Sequence, residues 1–189
     1  MTGLRERKKA QTREAIRDHA LRLFEHNGFD TTTVQEIADA AGVSHMTFFR
    51  HFPTKESVVA QDDYDPMLTE LIAARPPREP VPETVRHAVG EGLLRIYASD
   101  RDLLLARSKL MLSAPSLRAA TMENQLATQE LLLAALEQRD GTKPDLRTRV
   151  LVGASLGALT TAVMAWVDSN GERELPELVD AALAALRCP

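Results

Sequence analysis

The side chains best suited to do chemistry in this sequence lie between residues 33 and 55, in the segment TVQEIADAAGVSHMTFFRHFPTK. Hydroxyls, imidazoles, one guanidinium and one ammonium group are interleaved there with phenylalanine rings. Such polar groups can donate hydrogen bonds to phosphates and base edges, and apolar ones can contact thymine methyl groups. The chemistry that this mixture indicates is contact with DNA. The candidate contacts are Thr33, Ser44, His45, Met46, Thr47, Phe49, Arg50, His51 and Lys55.

The spacing predicts that two short helices and a tight turn position these side chains. Thr33 and Glu36 have the spacing of a capping box, and Gly42 is suited to end the first helix. Ser44 can cap a second helix, roughly over residues 45–51. This geometry is that of a helix-turn-helix, whose second helix enters the major groove. For Ser44 a purely capping role is the alternative, and for Thr47 an inward, structural one.

Position along this predicted motif divides the candidates by role. The first residues of a recognition helix face base edges, and helix N-termini attract phosphate through the helix dipole. Expected base contacts are His45, Met46 and Thr47, and expected backbone contacts are Thr33, Arg50, His51 and Lys55.

Basic residues are concentrated at the start of the chain. Residues 1–22 carry seven basic and three acidic residues, whereas residues 61–189 carry 14 basic and 19 acidic ones. The N-terminal segment is therefore the part able to meet phosphate, and Arg5, Lys8 and Lys9 join the candidates. A solvated tail is the alternative for these three. The net charge of −4 disfavours a protein that coats DNA without sequence preference.

Residues 21–59 resemble the N-terminal domain of the TetR family of bacterial repressors. The resemblance rests on an ordered set of pieces: an apolar helix end, GFDTT, IADAAGVS, an aromatic pair, HF and KE. In the family pattern the position of Phe49 is commonly tyrosine, whose hydroxyl reaches a phosphate. Because Phe49 cannot donate that bond, we expect it to make apolar contact with a thymine methyl or a sugar.

The whole chain is predicted to be all-α, since no alternation typical of strands is sustained. A three-helix helix-turn-helix domain over residues 1–53 precedes a helical ligand-binding and dimerisation bundle over 54–189, with 54–75 as a linking helix. The predicted helices are 5–27 and those of the motif, followed by 83–99, 101–113, 116–139, 145–168 and 176–187. A break is expected at Ser99–Asp100.

Residues 150–167 contain no charged side chain over 18 positions, which by length alone is a marginal membrane span. Its small and hydroxyl residues, and the lack of a second such segment, favour a buried helix of a soluble protein. The TetR resemblance implies that the last two large helices of each subunit pair in a homodimeric four-helix bundle. The candidate dimer contacts are Gly153, Gly157, Leu178, Ala182 and Leu186.

A mostly apolar effector pocket is predicted in the bundle. The distal half is similar to a TetR subgroup that includes the mycofactocin regulator, which implies an acyl-CoA-like ligand. For most candidates the alternative is ordinary core packing. The candidates are Met67, Leu71, Tyr97, Leu104, Arg107, Met111, Arg118, Met122, Leu126 and Trp166.

No catalytic constellation is present in the sequence. It lacks HExxH, GxSxG, P-loop and GxGxxG patterns, so neither an enzyme nor a cofactor is expected. The charged N-terminus and the lone Cys188 predict a cytoplasmic protein. The function predicted is a regulator, most simply a repressor, that an effector releases from a palindromic operator. The alternative is a helical small-molecule-binding protein, or a cryptic enzyme, without operator-specific DNA binding.

Overall fold

The computed structural model describes residues 3–61 and 64–186, apart from the side chains of residues 6 and 98–100. Within that part of the chain the regular structure is helical, as predicted. The helices are α1 (Gly3–Asn27), α2 (Val34–Ala40), α3 (His45–His51), α4 (Lys55–Ala60), α5 (Asp65–Ala73), α6 (Val81–Ser113), α7 (Pro115–Asp140), α8 (Leu146–Asp168) and α9 (Leu175–Ala184). Cys188 and the acidic residues Asp62 and Asp63 lie outside the described residues.

The chain divides into two compact units. The first unit contains the described residues up to 61 together with Leu110–Thr121, and the second unit contains the remainder. The predicted boundary at residue 53 falls inside the first unit, because Val58 and Val59 of α4 are fully buried in its core. The predicted linking helix over 54–75 is instead two helices, α4 and α5. Pro66 lies in the first turn of α5, where a missing N–H is harmless, but it would disrupt a helix interior.

The core of the first unit is apolar and strongly aromatic. It is assembled from α1, α2, α3, α4 and the first turns of α7. Its fully buried members are Ile16, Ala20, Ile37, Ala38, Phe48, Phe52, Val58, Val59 and Leu117. Leu117 shows that a stretch far along the sequence completes this core. Sequence reasoning confined to the first 60 residues could not include it.

The second unit is built on longer helices. α6 runs without interruption from Val81 to Ser113, so the predicted break at Ser99–Asp100 is wrong. Serine and aspartate are mediocre helix formers, but neither lacks an N–H nor requires a positive φ. The buried core includes Leu132, Leu136, Val152, Trp166 and Leu183.

A polar network fixes the proline-rich connection between α5 and α6. The Glu79 carboxylate accepts hydrogen bonds from Arg75 Nη2 at 2.6 Å and Thr84 Oγ1 at 3.0 Å. Arg139 of α7 donates to Thr84 Oγ1 at 2.6 Å and to the Glu79 carbonyl at 3.1 Å. The hydrogen bond from Arg75 is the main cause that lowers the pKa of Glu79 from 4.5 to about 2. This network clamps the connection onto the end of α7.

The helix α8 is long and apolar enough to cross a membrane by length and composition alone. One such helix is weak evidence for a span, since the core helix of a soluble protein meets the same criterion. Here α8 packs on α9. Only 28% of its most apolar 18-residue stretch is buried within the chain, so much of its apolar surface lacks a covering in one copy.

Candidate nucleic-acid interface

The helix-turn-helix forms as the sequence predicts. Thr33 and Glu36 make the reciprocal capping box at the start of α2. Gly42 adopts a φ of +65°, the left-handed conformation that lets the chain turn after α2. Ser44 Oγ accepts the Thr47 N–H at 3.1 Å and so caps α3. This cap sets the start of α3, the second helix of the motif, at His45.

Internal hydrogen bonds occupy three of the predicted DNA contacts. The Ser44 and Thr47 hydroxyls lie 2.9 Å apart, and Thr47 is half-buried. The Thr33 hydroxyl donates to Glu36 Oε2 at 2.8 Å. The alternatives considered for Ser44 and Thr47, a cap and a structural side chain, therefore agree with the geometry.

The solvent-facing side of α3 presents His45, Met46, Phe49 and Arg50. Met46 is 80% exposed and Phe49 is 40% exposed. The Phe49 ring packs edge-on against His45, with centroids 4.8 Å apart, and against Phe48 at 5.4 Å. These two neighbours restrict the rotamers of Phe49, so α3 presents a defined surface. We call these four residues the reading face.

Arg13 of α1 anchors the C-terminal end of α3. Its Nη1 donates to the His51 carbonyl at 2.6 Å and its Nη2 to Gln61 Oε1 at 2.8 Å. Its guanidinium also stacks over the Phe52 ring at 4.1 Å. Sequence reasoning counted Arg13 only as charge. The available signal was its spacing of four residues from Lys9 and Arg17 on one helix.

His51 is a correction to the predicted backbone contacts. Its side chain is buried, with 8% exposure, and so cannot reach a phosphate as it stands. Burial, followed by the charges of Arg50, Arg13 and Lys9, lowers the pKa of His51. The imidazole is therefore a buried group of the first unit and not a surface donor.

Lys55 is a second correction. Its Nζ donates to the carbonyls of Phe29 at 2.7 Å and Thr32 at 2.9 Å, and lies 3.4 Å from that of Asp30. The ammonium also sits 4.4 Å from the centroid of the Phe29 ring. An ammonium has three donors, so this cradle commits all of them. Lys55 thus ties α4 to the turn before α2.

The remaining candidates on α1 are free to approach a ligand. Arg5, Lys8 and Lys9 are all exposed. With Arg50, they remain the candidates for contact with phosphate.

The predicted effector residues separate into two groups. In the second unit, Met67 and Leu71 of α5 lie against Gly92, where an added Cβ would stand 3.1 Å from Met67 Cε. Tyr97 and Trp166 have ring centroids 5.9 Å apart, and Trp166 is fully buried. Arg107 is buried and Leu104 packs against the same core.

Four other effector candidates do not join them. Met111 packs against the core of the first unit, and Arg118 is exposed there and donates to the Leu112 carbonyl at 2.9 Å. Met122 and Leu126 are more than 60% exposed on α7. Helical periodicity alone does not say which face of α7 is covered, and these two were assigned to the wrong one.

The predicted dimer contacts are also partly corrected. Leu178 is buried in the core of its own subunit, and the space beside Gly153 is taken by Gln129. Ala182 and Leu186 are half-buried against that core. Gly157 is exposed, on a stripe of α8 that we call the α8 face. Its members are Leu146, Val150, Gly157, Thr161 and Met164.

Over the described residues, no three histidine, cysteine, aspartate or glutamate side chains gather as a metal-binding group would. Asp65, which is described, lies 3.3 Å from the Thr128 hydroxyl.

Comparison with known proteins yields matches over most of the chain. Residues 16–62 match the family described as bacterial regulatory proteins, tetR family, and residues 79–188 match the MftR C-terminal domain. The transcriptional regulator TcmR of Streptomyces glaucescens is 30% identical over 159 residues, which span 79% of this chain and 70% of TcmR.

Solved structures share the fold. The FadR regulator of Bacillus subtilis, solved with stearoyl-CoA, has a TM-score of 0.60 at 21% identity, covering 92% of this chain and 96% of its own. The Thermus thermophilus FadR repressor, solved with lauroyl-CoA, has a TM-score of 0.55 at 28% identity, covering 92% of each chain.

Proposed function

The chain belongs to the TetR family of DNA-binding transcriptional regulators, and we propose that it is a homodimeric repressor of a palindromic operator. A small apolar or acyl-CoA-like effector releases it from that operator. The proposal assigns the protein to the cytoplasm, where the operator lies, and assigns it no reaction.

The reading face is the observation that carries this proposal. A capped helix, held by Arg13 and by an aromatic core, presents an exposed and defined surface that includes the cation of Arg50. That is the arrangement by which a recognition helix enters the major groove while cations meet the flanking phosphates. The proposed DNA contacts are His45, Met46, Phe49 and Arg50, with Arg5, Lys8 and Lys9 on the backbone.

A dimer follows from the need for specificity and from α8. One short helix reads too few bases, and two related by a twofold axis read half-sites about 34–36 Å apart, one turn of DNA. Leu146 is 77% exposed, Val150 59% and Met164 46%. A second copy that packs on the α8 face covers these side chains, and Gly157 at its centre allows a close approach.

The effector class is proposed from two kinds of support. The match to the MftR C-terminal domain spans residues 79–188, which include most of the second unit but not α5, and the Thermus relative was solved with lauroyl-CoA. Within the second unit, the flexible side chain of Met67 lies over Gly92, a packing that a ligand can displace at low cost. We place the apolar part of the effector between α5 and α6, near Leu71.

Two measurements on the full chain test the proposal. Fluorescence anisotropy with the DNA upstream of the chain's own gene should give salt-dependent binding that lauroyl-CoA weakens by 5–150-fold, the range of a coupling of about 1–3 kcal/mol. Light scattering should give a dimer, alone and on DNA. A monomer bound as a single copy would contradict the operator model.

If none of the effectors tested changes the operator affinity, only the effector part of the proposal is contradicted. Trp166 is the sole tryptophan, so its fluorescence reports one place in the second unit. A ligand that releases DNA without changing this fluorescence would show that the pocket lies away from Trp166.

A further inference from the structure

Two of the four side chains of the reading face, Met46 and Phe49, are exposed and apolar. Among the described residues of the first unit, the large hydrophobic side chains that stand exposed are Leu4, Met46 and Phe49. Two of these three are on one seven-residue helix. Met46 is 80% exposed, so the unbound protein lacks the stabilisation that burial of this side chain would provide. Phe48, on the same helix, is fully buried.

Few groups on α3 can read a base edge by paired hydrogen bonds. Arginine to guanine and asparagine or glutamine to adenine are the common bidentate contacts. The helix sequence HMTFFRH contains no asparagine, glutamine or lysine. Thr47 is engaged by Ser44, which leaves Arg50 as the one side chain of α3 whose type makes a common bidentate base contact.

The groove offers one base feature that an apolar side chain can recognise, which is the 5-methyl group of thymine. Met46 and Phe49 are three residues apart, so they are neighbours on one face with Cβ atoms about 5–6 Å from each other. That separation is comparable to the step of about 3.4 Å between base pairs, so both can reach the same or adjacent pairs.

The Phe49 ring is also held ready for such a contact. His45 meets it at an interplanar angle of 71° and Phe48 at 83°, both as edge contacts. A ring fixed between two others loses little conformational entropy on binding. Met46 has three rotatable bonds and can adapt beside it.

We infer that each half-site of the operator carries one or two thymines whose 5-methyl groups are read by Met46 and Phe49, and that these methyl groups supply most of the base specificity. The inference rests on the proposed function, because it presumes operator binding. His45 is then a positioning residue, which orients the Phe49 ring.

Deoxyuridine isolates the methyl group, since it differs from thymidine only by that group. The full chain first selects duplexes from a random-sequence library, and each thymine pair related by the operator's symmetry is then replaced by deoxyuridine. Burying one methyl corresponds to about a fourfold change in binding, so both half-sites together give about 15-fold. We expect that loss at one or two symmetric positions.

Substitutions at Met46 and Phe49 identify which side chain contacts each methyl group. Met46→Ala should remove the deoxyuridine effect at one position, and Phe49→Leu should reduce it at the other. Leu94→Ala is the matched control, because Leu94 is 77% exposed but belongs to the second unit. It should keep the full effect.

The outcomes separate this inference from the proposed function. Selected operators that bind equally well with deoxyuridine at every thymine would overturn the inference and leave the repressor proposal intact. A methyl effect that persists unchanged in both variants would overturn it as well. A library that yields no enriched sequence would overturn the operator proposal itself.

Discussion

In the described part of the first unit, the large apolar side chains that stand exposed are one at the start of α1 and two on the reading face. In the second unit they are spread along α6, α7 and α8. That set is Leu94, Leu103, Met122, Leu126, Leu131, Leu146, Val150 and Met164. Exposed apolar surface marks places where binding occurs. The exposed apolar side chains of the first unit are confined to two places, whereas those of the second unit occur on three helices.

Buried polar groups do not repeat this contrast. In the first unit, Lys55 and Arg13 donate hydrogen bonds to backbone carbonyls and so fix its turns. Buried atoms with no hydrogen-bond partner among the described residues nevertheless occur in both units, as His51 Nδ1 in the first and as Ser155 Oγ and Trp166 Nε1 on one face of α8 in the second. Buried polar atoms of this kind cost free energy. Both units therefore carry this cost.

The largest expected effect tests whether the first unit depends on its distant stretch. Leu117→Ala removes a fully buried side chain from that core and should lower the free energy of unfolding by about 2–5 kcal/mol. Leu126→Ala, on the same helix but 61% exposed, is the control and should change it by less than about 0.5 kcal/mol. Urea denaturation measures both. Equal losses would mean that the assignment of Leu117 to the core is wrong.

The next test concerns the uncovered side of the second unit. Val150→Asp places a charge on the α8 face, which a second copy would desolvate. We expect the dissociation constant of the dimer to rise by about 100-fold, which corresponds to roughly 3 kcal/mol. The helicity should not change. Leu94→Asp makes the same change at a similarly exposed site on α6 and should remain dimeric by light scattering. Dissociation of that control alone would place the interface on α6.

A third test breaks the internal clamp of the first unit. Lys55→Ala leaves the carbonyls of Phe29 and Thr32 without their donor and should cost about 1–3 kcal/mol of unfolding free energy. The slope of operator affinity against salt should stay constant. Lys9→Ala is the comparison, and it should lower that slope by about 2 for the dimer, at roughly 0.9 per phosphate. If Lys55→Ala lowers the salt slope and leaves the free energy of unfolding unchanged, Lys55 contacts a DNA phosphate.

The smallest expected effect is a pH dependence of the second unit. The pKa of Glu79 is lowered to about 2 from 4.5, so its carboxylate stabilises the fold above pH 4.5 and loses this contribution as pH falls toward 2. By pH 3 the loss should reach up to about 2 kcal/mol. Glu79→Gln should lose less between pH 6 and 3. Parallel curves for the two proteins would show that the network contributes nothing through Glu79.

Local signals in the sequence were sufficient for much of the first unit. The capping box at Thr33, the turn at Gly42 and the cap at Ser44 each depend on residues three or four positions apart, and each is present. Lys55 was assigned to phosphate because its acceptors lie 23–26 residues away in the chain. A sequence pattern shows that a cation stands at a helix N-terminus, but not that folding has already supplied its partners.

The second unit was harder to predict for a different reason. Its helices are long, and apolar residues occur on more than one face of each. Periodicity therefore locates α7 and α9 but predicts a pocket position for Leu126 and an interface position for Leu178. The structure instead exposes Leu126 and buries Leu178 in its own subunit. Which face a neighbour covers depends on the crossing of helices, which composition does not encode.

The membership of Leu110–Thr121 in the first unit limits how this protein can be recombined. A hybrid regulator made by joining its first 61 residues to another protein's sensor would inherit α1 to α4 but not Leu117. A foreign side chain would then have to fill that place in the aromatic core. Exchange of DNA-reading heads between relatives is therefore restricted to donors whose own α6–α7 turn fits, or must carry this short stretch along. The unit that must be transferred consists of two separate stretches of the chain, although the family match at its N-terminus is one continuous stretch.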